Sequence, residues 1–279
     1  MTKSLTTIPL LLATLSDALS DRSKSQKIDF GGGYIKLRTL GGGASAVAYE
    51  VLKGGKRYAL KKSKTRGNVL SDEYNVLREL YGYEGVPKAY DLFKCRDGTD
   101  CLVLELVGPS LSELHKNFRV MDQLPLESIG AIAIQLIDRM EAFHKKGFVH
   151  GDLFGNNISP GRGDSKGTIY AIDFGQASRL RDSSSRTKSF DAQSVAYTIA
   201  NMIKNSIKSV DSVFESHNMK NLPNEILDLV THVEAAKNRG DRYLDYGYMR
   251  TLMISMIKKT GKKFTIKVNW PSEILRKLP

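Results

Sequence analysis

Two short segments carry the side chains that could do chemistry. The first reads Val149-His150-Gly151-Asp152-Leu153-Phe154-Gly155-Asn156-Asn157, and sixteen residues after Asn157 the chain reads Asp173-Phe174-Gly175. The carboxylate of Asp152 could receive a proton from an attacking hydroxyl, and Asn157 with Asp173 would give Mg²⁺ two oxygen ligands. Each residue alone is common in loops and turns. Because all three occur in this order along the chain, a catalytic role is a better interpretation than a purely structural one.

Residues upstream supply a cation and a loop of small residues. The run Leu40-Gly41-Gly42-Gly43-Ala44-Ser45-Ala46 lies between two predicted strands, where small residues let backbone N–H groups approach phosphate oxygens. Lys61 ends the next strand, and Glu73 stands in the following helix, where its carboxylate would pair with the lysine. A glycine turn alone is equally an ordinary hairpin, and a lone lysine is usually solvated. Together with the two downstream segments, these residues predict phosphoryl transfer.

The elements that must position these residues form two groups. Alternating residues from 34 to 61 predict strands, followed by a helix over 71–81 and hairpin arms over 89–94 and 101–106. Beyond residue 108 the spacing predicts a strand at 168–172 and helices over 126–146, 191–205, 224–238 and 245–260. The helix over 126–146 is expected to be buried along one face. The expected fold is α+β and bilobal, with a small antiparallel β lobe that has one main helix and a larger, mainly α-helical lobe.

The totals are those of a globular chain with a basic surface. We expect an N-terminal extension over 1–28, the small lobe over 29–107 and the large lobe over 108–279. With 279 residues and 41% hydrophobic content, the chain can bury a sizeable core. Lys and Arg number 42 against 30 Asp and Glu, and the net charge of +12 favours acidic partners such as phosphate groups, acidic peptides, nucleic acid or anionic lipid.

The two cysteines, Cys95 and Cys101, flank a predicted hairpin tip. They could pair, but so few cysteines suit a reducing compartment, so we expect free thiols in an intracellular protein. The longest N-terminal apolar stretch, from Ile8 to Leu15, is shorter than the ~20 residues that span a bilayer, so no membrane span is expected.

At these motifs the chain resembles eukaryotic-type protein kinases, and within them the casein kinase I group, which includes the vaccinia-related kinases. The resemblance covers residues 34 to 270, roughly. Beyond the two catalytic segments, the runs similar to that group are Glu73-Tyr74-Asn75-Val76-Leu77, Gly85-Val86-Pro87, Leu104-Glu105-Leu106-Val107-Gly108-Pro109-Ser110-Leu111, Asp245-Tyr246-Gly247-Tyr248-Met249-Arg250 and Asn269-Trp270.

The resemblance implies an ATP-dependent kinase that uses Mg²⁺, or Mn²⁺ in its place, and acts on serine or threonine in acidic or phosphorylated protein substrates. Asp152, Lys61 and Glu73 would be the catalytic residues, and Asn157 with Asp173 would bind the metal. Asp191 would brace the catalytic loop. The nucleotide would contact Gly41, Gly43, Ala44, Ala59, Lys61, Leu104, Glu105, Val107 and Ile172.

Several positions depart from the family pattern. Ala46 replaces the third loop glycine, Ala48 the following valine, and Gly151 an arginine that in many kinases receives a phosphate from the activation segment. Phe154 replaces a lysine that touches the γ-phosphate, a loss on the order of 2–4 kcal/mol of transition-state stabilisation. Ser159 replaces a large aliphatic residue beneath adenine. Only 15 residues, 176 to 190, lie between Gly175 and Asp191, so the platform for peptide substrates is short.

These departures leave two further functions open. A pseudokinase or scaffold would explain Phe154, Ser159 and the short activation segment. A small-molecule phosphotransferase would explain the His-Gly-Asp loop without a long activation segment.

The lysines at 258, 259, 262, 263 and 267 form a basic cluster that could contact nucleic acid or a phosphopeptide, although solvated lysines are the simpler interpretation. The oligomeric state is open.

Overall fold

The computed structural model describes residues 28–120, 124–180, 187–204 and 222–276. The expected extension over 1–28 and the serine-rich part of the activation segment lie almost entirely outside these residues. No helix in the described ranges is both long and apolar enough to cross a membrane.

The small lobe is one antiparallel sheet of five strands with a single helix. The strands are β1 (Ile35–Gly42), β2 (Ala46–Lys53), β3 (Lys56–Arg66), β4 (Ala89–Lys94) and β5 (Thr99–Leu104), and their order in the sheet is β1-β2-β3-β5-β4. Helix α1 (Ser71–Glu79) connects β3 to β4. The lobe therefore has the architecture that the alternating pattern predicted.

The large lobe is mainly helical. Its helices in the described residues are α2 (Leu111–Phe118), α3 (Leu126–Lys145), α4 (Lys188–Ile203), α5 (Asn224–Arg239), α6 (Tyr246–Lys259) and α7 (Ser272–Leu275). Two small antiparallel pairs lie at its junction with the sheet, β6 (Phe148–Val149) with β9 (Ser178–Arg179) and β7 (Ile158–Pro160) with β8 (Ile169–Ala171). The bilobal α+β prediction is thus confirmed.

Two predictions about helices need correction. Helix α3 is buried on nearly every side rather than along one face, because α4, α6 and β8 pack around it. Helix α2 was not predicted, although the Ser110 hydroxyl accepts a hydrogen bond from the Glu113 N–H and the Glu113 carboxylate accepts one from the Ser110 N–H. This capping box is a local signal that the sequence displays.

Cys95 and Cys101 form a disulfide with their Cα atoms 5.6 Å apart, so the expectation of free thiols is wrong. The hairpin between β4 and β5 causes the pairing, because the Cys95 N–H donates to the Thr99 carbonyl and Phe93 pairs with Cys101 in the strand register. Both sulfurs lie inside a small cluster of apolar side chains that includes Phe30, Tyr34, Val51, Leu60 and Val103.

Gly85 joins the two lobes behind the sheet. Its carbonyl accepts a hydrogen bond from the Ala171 N–H at 2.9 Å, and its φ of 76° is one that residues with a Cβ rarely adopt. An added Cβ would meet the buried Arg139 side chain and the Ile169 carbonyl oxygen. The close approach of the lobes at this turn therefore requires glycine.

We expect Gly85→Ala to lower the free energy of unfolding by about 3 kcal/mol, through a steric clash added to backbone strain. Gly82→Ala is the matched control, because Gly82 has a similar φ of 87° but nothing within 4 Å of an added Cβ. Its cost should be about 1 kcal/mol. Urea unfolding of both variants measures the difference, and equal costs would contradict the packing argument.

Candidate active site between the lobes

Lys61 lies where the sheet faces the large lobe. It pairs with Ala48 of β2 and Leu102 of β5 in the strand register, and its side chain is only 14% exposed. Its Nζ donates to Glu73 Oε2 at 2.6 Å and to Asp173 Oδ1, also at 2.6 Å. One ammonium thus joins β3, α1 and the segment after β8, and two of its neighbours are predicted site residues.

The charges of this cluster depend on one another. Burial alone would lower the pKa of Lys61, but the adjacent carboxylates of Glu73 and Asp173 raise it above its ordinary value. Burial acts to raise the pKa of Asp173, and the charge and hydrogen bond of Lys61 outweigh it, so this pKa is lowered. Lys61 is therefore cationic and Asp173 anionic at neutral pH.

Asp173 has a left-handed backbone, with φ 61° and ψ 73°. Such a conformation is uncommon outside glycine and often marks a functional position. The Gly175 N–H donates to Asp173 Oδ1 at 3.2 Å, which supports this turn. A Cβ at Gly175 would lie 3.1 Å from Asp173 Oδ1 and 3.4 Å from Lys61 Nζ. The glycine therefore leaves the space that the ion pair occupies.

Asp152 and Asn157 meet in the loop between β6 and β7. The Asn157 Nδ2 donates to the Asp152 carbonyl at 2.9 Å and to its Oδ2 at 2.7 Å. The Asn157 side chain is buried, so this contact fixes the direction of the Asp152 carboxylate. The Ile172 N–H donates to the Asn157 carbonyl at 2.9 Å, which ties the loop to the residue before Asp173.

Asp191 supports the same loop from below. Its carboxylate is fully buried and accepts hydrogen bonds from the His150 N–H at 2.7 Å and the Gly151 N–H at 2.8 Å. Burial acts to raise the pKa of Asp191, but hydrogen bonds from the His144 side chain and the His150 N–H hold it below its ordinary value. These contacts agree with the bracing role that the resemblance implied.

His144 links this carboxylate to the far helix α6. Because ionised Asp191 can only accept, His144 Nε2 donates to it at 3.0 Å, and Nδ1 is hydrogen-bonded to the Tyr246 hydroxyl at 2.5 Å. Sequence analysis missed His144, although a histidine in the last turn of a buried helix was a visible signal. Tyr246 was quoted only as part of a family segment, and no local pattern pointed to its partner.

Aromatic packing joins the two catalytic segments. The Phe174 ring centroid lies 4.6 Å from that of His150 and 5.4 Å from that of Phe143 in α3. Burial lowers the pKa of His150, so its ring is neutral and Nε2 donates to the Ile172 carbonyl at 3.1 Å. Asp152 and Asp173 are therefore both fixed to one apolar support.

The predicted nucleotide-binding residues lie along the sheet and the connection between the lobes. The tight turn between β1 and β2 is closed by the Gly43 N–H donating to the Ala46 carbonyl at 2.9 Å, and a Cβ at Gly41 or Gly43 would meet open space. Ala44 is exposed at the tip of this turn. Their part in binding stays a prediction.

The residues predicted to meet the base lie further back. Ala59 pairs with Leu104 in the β3–β5 register, so both lie at the end of the sheet nearest the large lobe. The Glu105 N–H donates to the Lys88 carbonyl at 2.8 Å, and the Glu105 carboxylate accepts from the Tyr170 hydroxyl at 3.3 Å. Val107 follows in a half-buried connection that leads to α2. These contacts fix the connection, while base contacts by its backbone stay predictions.

Ser159 is the least satisfied of these residues. It lies in β7 opposite Tyr170, it is fully buried, and its hydroxyl has no hydrogen-bond partner within the described part of the chain. A buried polar atom without a partner costs about 1–3 kcal/mol. The position expected beneath adenine therefore carries an unmatched hydroxyl.

We expect Ser159→Ala to raise the free energy of unfolding by about 1 kcal/mol, because it removes this hydroxyl without removing a contact. Ser128→Ala is the control. Ser128 is equally buried, but its Oγ donates to the Asn269 carbonyl at 2.8 Å, so its loss should destabilise by about 1 kcal/mol. Urea unfolding measures both signs, and a loss of stability in Ser159→Ala would show that the hydroxyl has a partner in solution.

Comparison with known families agrees with this geometry. The family model described as "Protein kinase domain" matches residues 34–211. The match begins just before β1, includes every residue of the Lys61 and Asp152 clusters, and covers more than half of the chain. The chain therefore belongs to the protein kinase domain family.

Proposed function

We propose that this chain transfers the γ-phosphate of ATP to serine and threonine hydroxyls of protein substrates, in the manner of the casein kinase I group. The observation that carries the proposal is the contact of one buried ammonium, Lys61, with both Glu73 and Asp173 at 2.6 Å. Kinase catalysis needs the lysine–glutamate pair and the metal-binding aspartate in place together. The contacts of Lys61 with both Glu73 and Asp173 support the proposal on this ground.

In this proposal Lys61 contacts the α- and β-phosphates, and Glu73 keeps its ammonium in position. Asp152 accepts the proton of the substrate hydroxyl, and its hydrogen bond from Asn157 sets the direction of the carboxylate. The turn with Gly41, Gly43 and Ala44 would cover the phosphates. Adenine would lie against the sheet and the connection between the lobes, near Ala59, Leu104, Glu105, Val107 and Ile172.

The residues present fit a divalent metal. Lys61 Nζ and the Gly175 N–H both donate to Asp173 Oδ1, and Asn157 donates through its Nδ2, which turns its amide oxygen the other way. The candidate ligands are thus oxygen atoms, which Mg²⁺ and Mn²⁺ prefer. When bound, the metal would neutralise charge on the phosphates.

Segments that resemble the casein kinase I group are packed into the large lobe. Ser110, in the segment after Leu104, caps α2, and Trp270 is buried with its Nε1 donating to the Lys166 carbonyl at 2.7 Å. The Asn269 carbonyl accepts from Ser128 in α3. These segments thus serve as packing elements of the large lobe. Acidic or phosphorylated substrates, and an intracellular location, stay predictions.

A scaffold with little turnover is the second candidate. Phe154 is 7% exposed, so an apolar ring is buried where many kinases have a lysine that contacts the γ-phosphate. Five residues later, the buried hydroxyl of Ser159 has no hydrogen-bond partner among the described residues. Both features would weaken ATP binding without changing the contacts of Asp152 or Asp173. Nucleotide binding without phosphate transfer is the property that separates this candidate from an active kinase.

We expect phosphate transfer from γ-labelled ATP with Mg²⁺ or Mn²⁺, either to the protein itself or to casein. Lys61→Met and Asp152→Asn should each lower the rate by about 100-fold or more, because one removes the phosphate cation and the other the proton acceptor. Lys62→Met is the control, since Lys62 is the next residue of β3 but pairs with Asp97 near the surface. Equal silence of wild type and variants would refute the kinase proposal, and transfer only to a sugar or aminoglycoside would favour a small-molecule phosphotransferase.

Metal-dependent nucleotide binding gives a separate test. At 100 times its dissociation constant, Mg²⁺–ATP should stabilise the wild type by about 2.7 kcal/mol, measured as a shift in thermal unfolding. The Asp173→Asn variant should lose the part of this stabilisation that requires Mg²⁺. The Asp164→Asn variant, changed at an exposed turn, should keep the whole stabilisation. A shift that is the same with and without Mg²⁺ would contradict the assignment of Asp173 as a metal ligand.

A further inference from the structure

The strand that follows Asp173 sends an arginine to the helix that holds Glu73. Arg179 lies in β9, and its Nη2 donates to Glu79 Oε1 at 2.5 Å. Glu79 is the last residue of α1. Helix α1 is therefore held at both ends, by Glu73 in its first turn through Lys61, which also contacts Asp173, and by Glu79 at its last residue through Arg179.

Arg179 also contacts the strand that leads into the catalytic loop. Its guanidinium lies 4.7 Å from the centroid of the Phe148 ring, and Phe148 pairs with Arg179 in the β6–β9 register. Phe148 is 3% exposed and stands two residues before His150. One side chain of the segment over 176–190 thus touches both α1 and the strand before Asp152.

Gly151 explains why such a contact would matter. This glycine has no side chain to bind a phosphorylated activation segment, and its N–H is used by Asp191. A cation that holds α1 would then belong to an unmodified residue. Arg179 has the position and the sign to supply it.

We infer that Arg179 is a positioning residue that holds α1, and with it Glu73, against Lys61, so that the catalytic arrangement needs no phosphate on residues 176–190. The inference rests on the proposed kinase function. The side chains of Arg179 and Glu79 are 37% and 48% exposed, so their pair is screened by solvent and contributes little to global stability. Its loss should change how often α1 is in place, rather than unfold the lobe.

The experiment compares Arg179→Met, Glu79→Gln, the double variant and the charge exchange Arg179→Glu with Glu79→Arg, all in the full chain. Each single variant should lower kcat about threefold to tenfold with KM for ATP unchanged, because fewer molecules hold α1 in place while ATP still binds. The double variant should be no slower than either single one. The charge exchange should restore kcat to within about threefold of the wild type.

Arg78→Met is the matched control. Arg78 precedes Glu79 in the same helix, and it contacts Tyr74 through a hydrogen bond of 3.3 Å to the hydroxyl and by lying over the ring. This variant should leave kcat unchanged. Phosphatase treatment of the wild type should also leave kcat unchanged, since the arrangement needs no phosphate.

Hydrogen exchange of residues 71–79 gives a readout that does not need turnover. Exchange should be faster in Arg179→Met and Glu79→Gln, return to the wild-type rate in the charge exchange, and stay unchanged in Arg78→Met. Additive effects of the single variants, a phosphatase-sensitive wild type, or unchanged exchange in α1 would each overturn the inference. If the wild type transfers no phosphate yet exchange responds as expected, the contact holds α1 and the kinase proposal alone fails.

Discussion

Lys61 lies at 14% exposure with its Nζ 2.6 Å from one oxygen of Glu73 and one of Asp173. A buried ammonium needs such partners, because the loss of hydration would otherwise favour its neutral form. The two carboxylates come from opposite sides of the cleft, one from α1 and the other from the end of β8. The Lys61 ammonium can contact both carboxylates only when α1 is turned toward the cleft and the turn at Asp173 is formed. The left-handed backbone of Asp173 and the absence of a Cβ at Gly175 both follow from the need to bring the Asp173 carboxylate against Lys61.

A second buried carboxylate fixes the other half of the site. Asp191 has no exposure, and backbone N–H groups of His150 and Gly151 donate to it. A carboxylate without these donors would be costly to bury. The loop with Asp152 must therefore follow the surface of α4, and His144 extends the network to Tyr246 in α6. Two helices distant in sequence thus set the path of the catalytic loop.

Two of the departures from the kinase pattern lie in this loop. Gly151 keeps the backbone contacts of its position and gives up the side chain, while Phe154 is buried as an apolar residue. The groups proposed for proton transfer and metal binding, Asp152, Asn157 and Asp173, keep mutual contacts through Asn157 and Ile172. These two changes therefore fall on positions expected to bind the nucleotide or a regulatory phosphate, and the residues proposed for proton transfer and metal binding are retained.

The sequence by itself determined the local structure and the residue types of the site. Helices α5 and α6 begin and end within one residue of the predicted bounds, because apolar spacing and local ends control them. The start of helix α4 is an exception that local sequence signals did not predict. It begins at Lys188 rather than Asp191, because Thr187 caps it and the distant Asp241 accepts from the Lys188 and Ser189 N–H groups.

Only the tertiary structure decided which distant side chains meet. The disulfide between Cys95 and Cys101 depends on how the hairpin closes, and the burial of α3 on nearly every side depends on α4 and α6. The contact of Arg179 with Glu79 joins residues 100 apart in the chain. Local patterns hold no information on such pairs, because a side chain's propensity acts within a few residues, whereas packing and charge act through space.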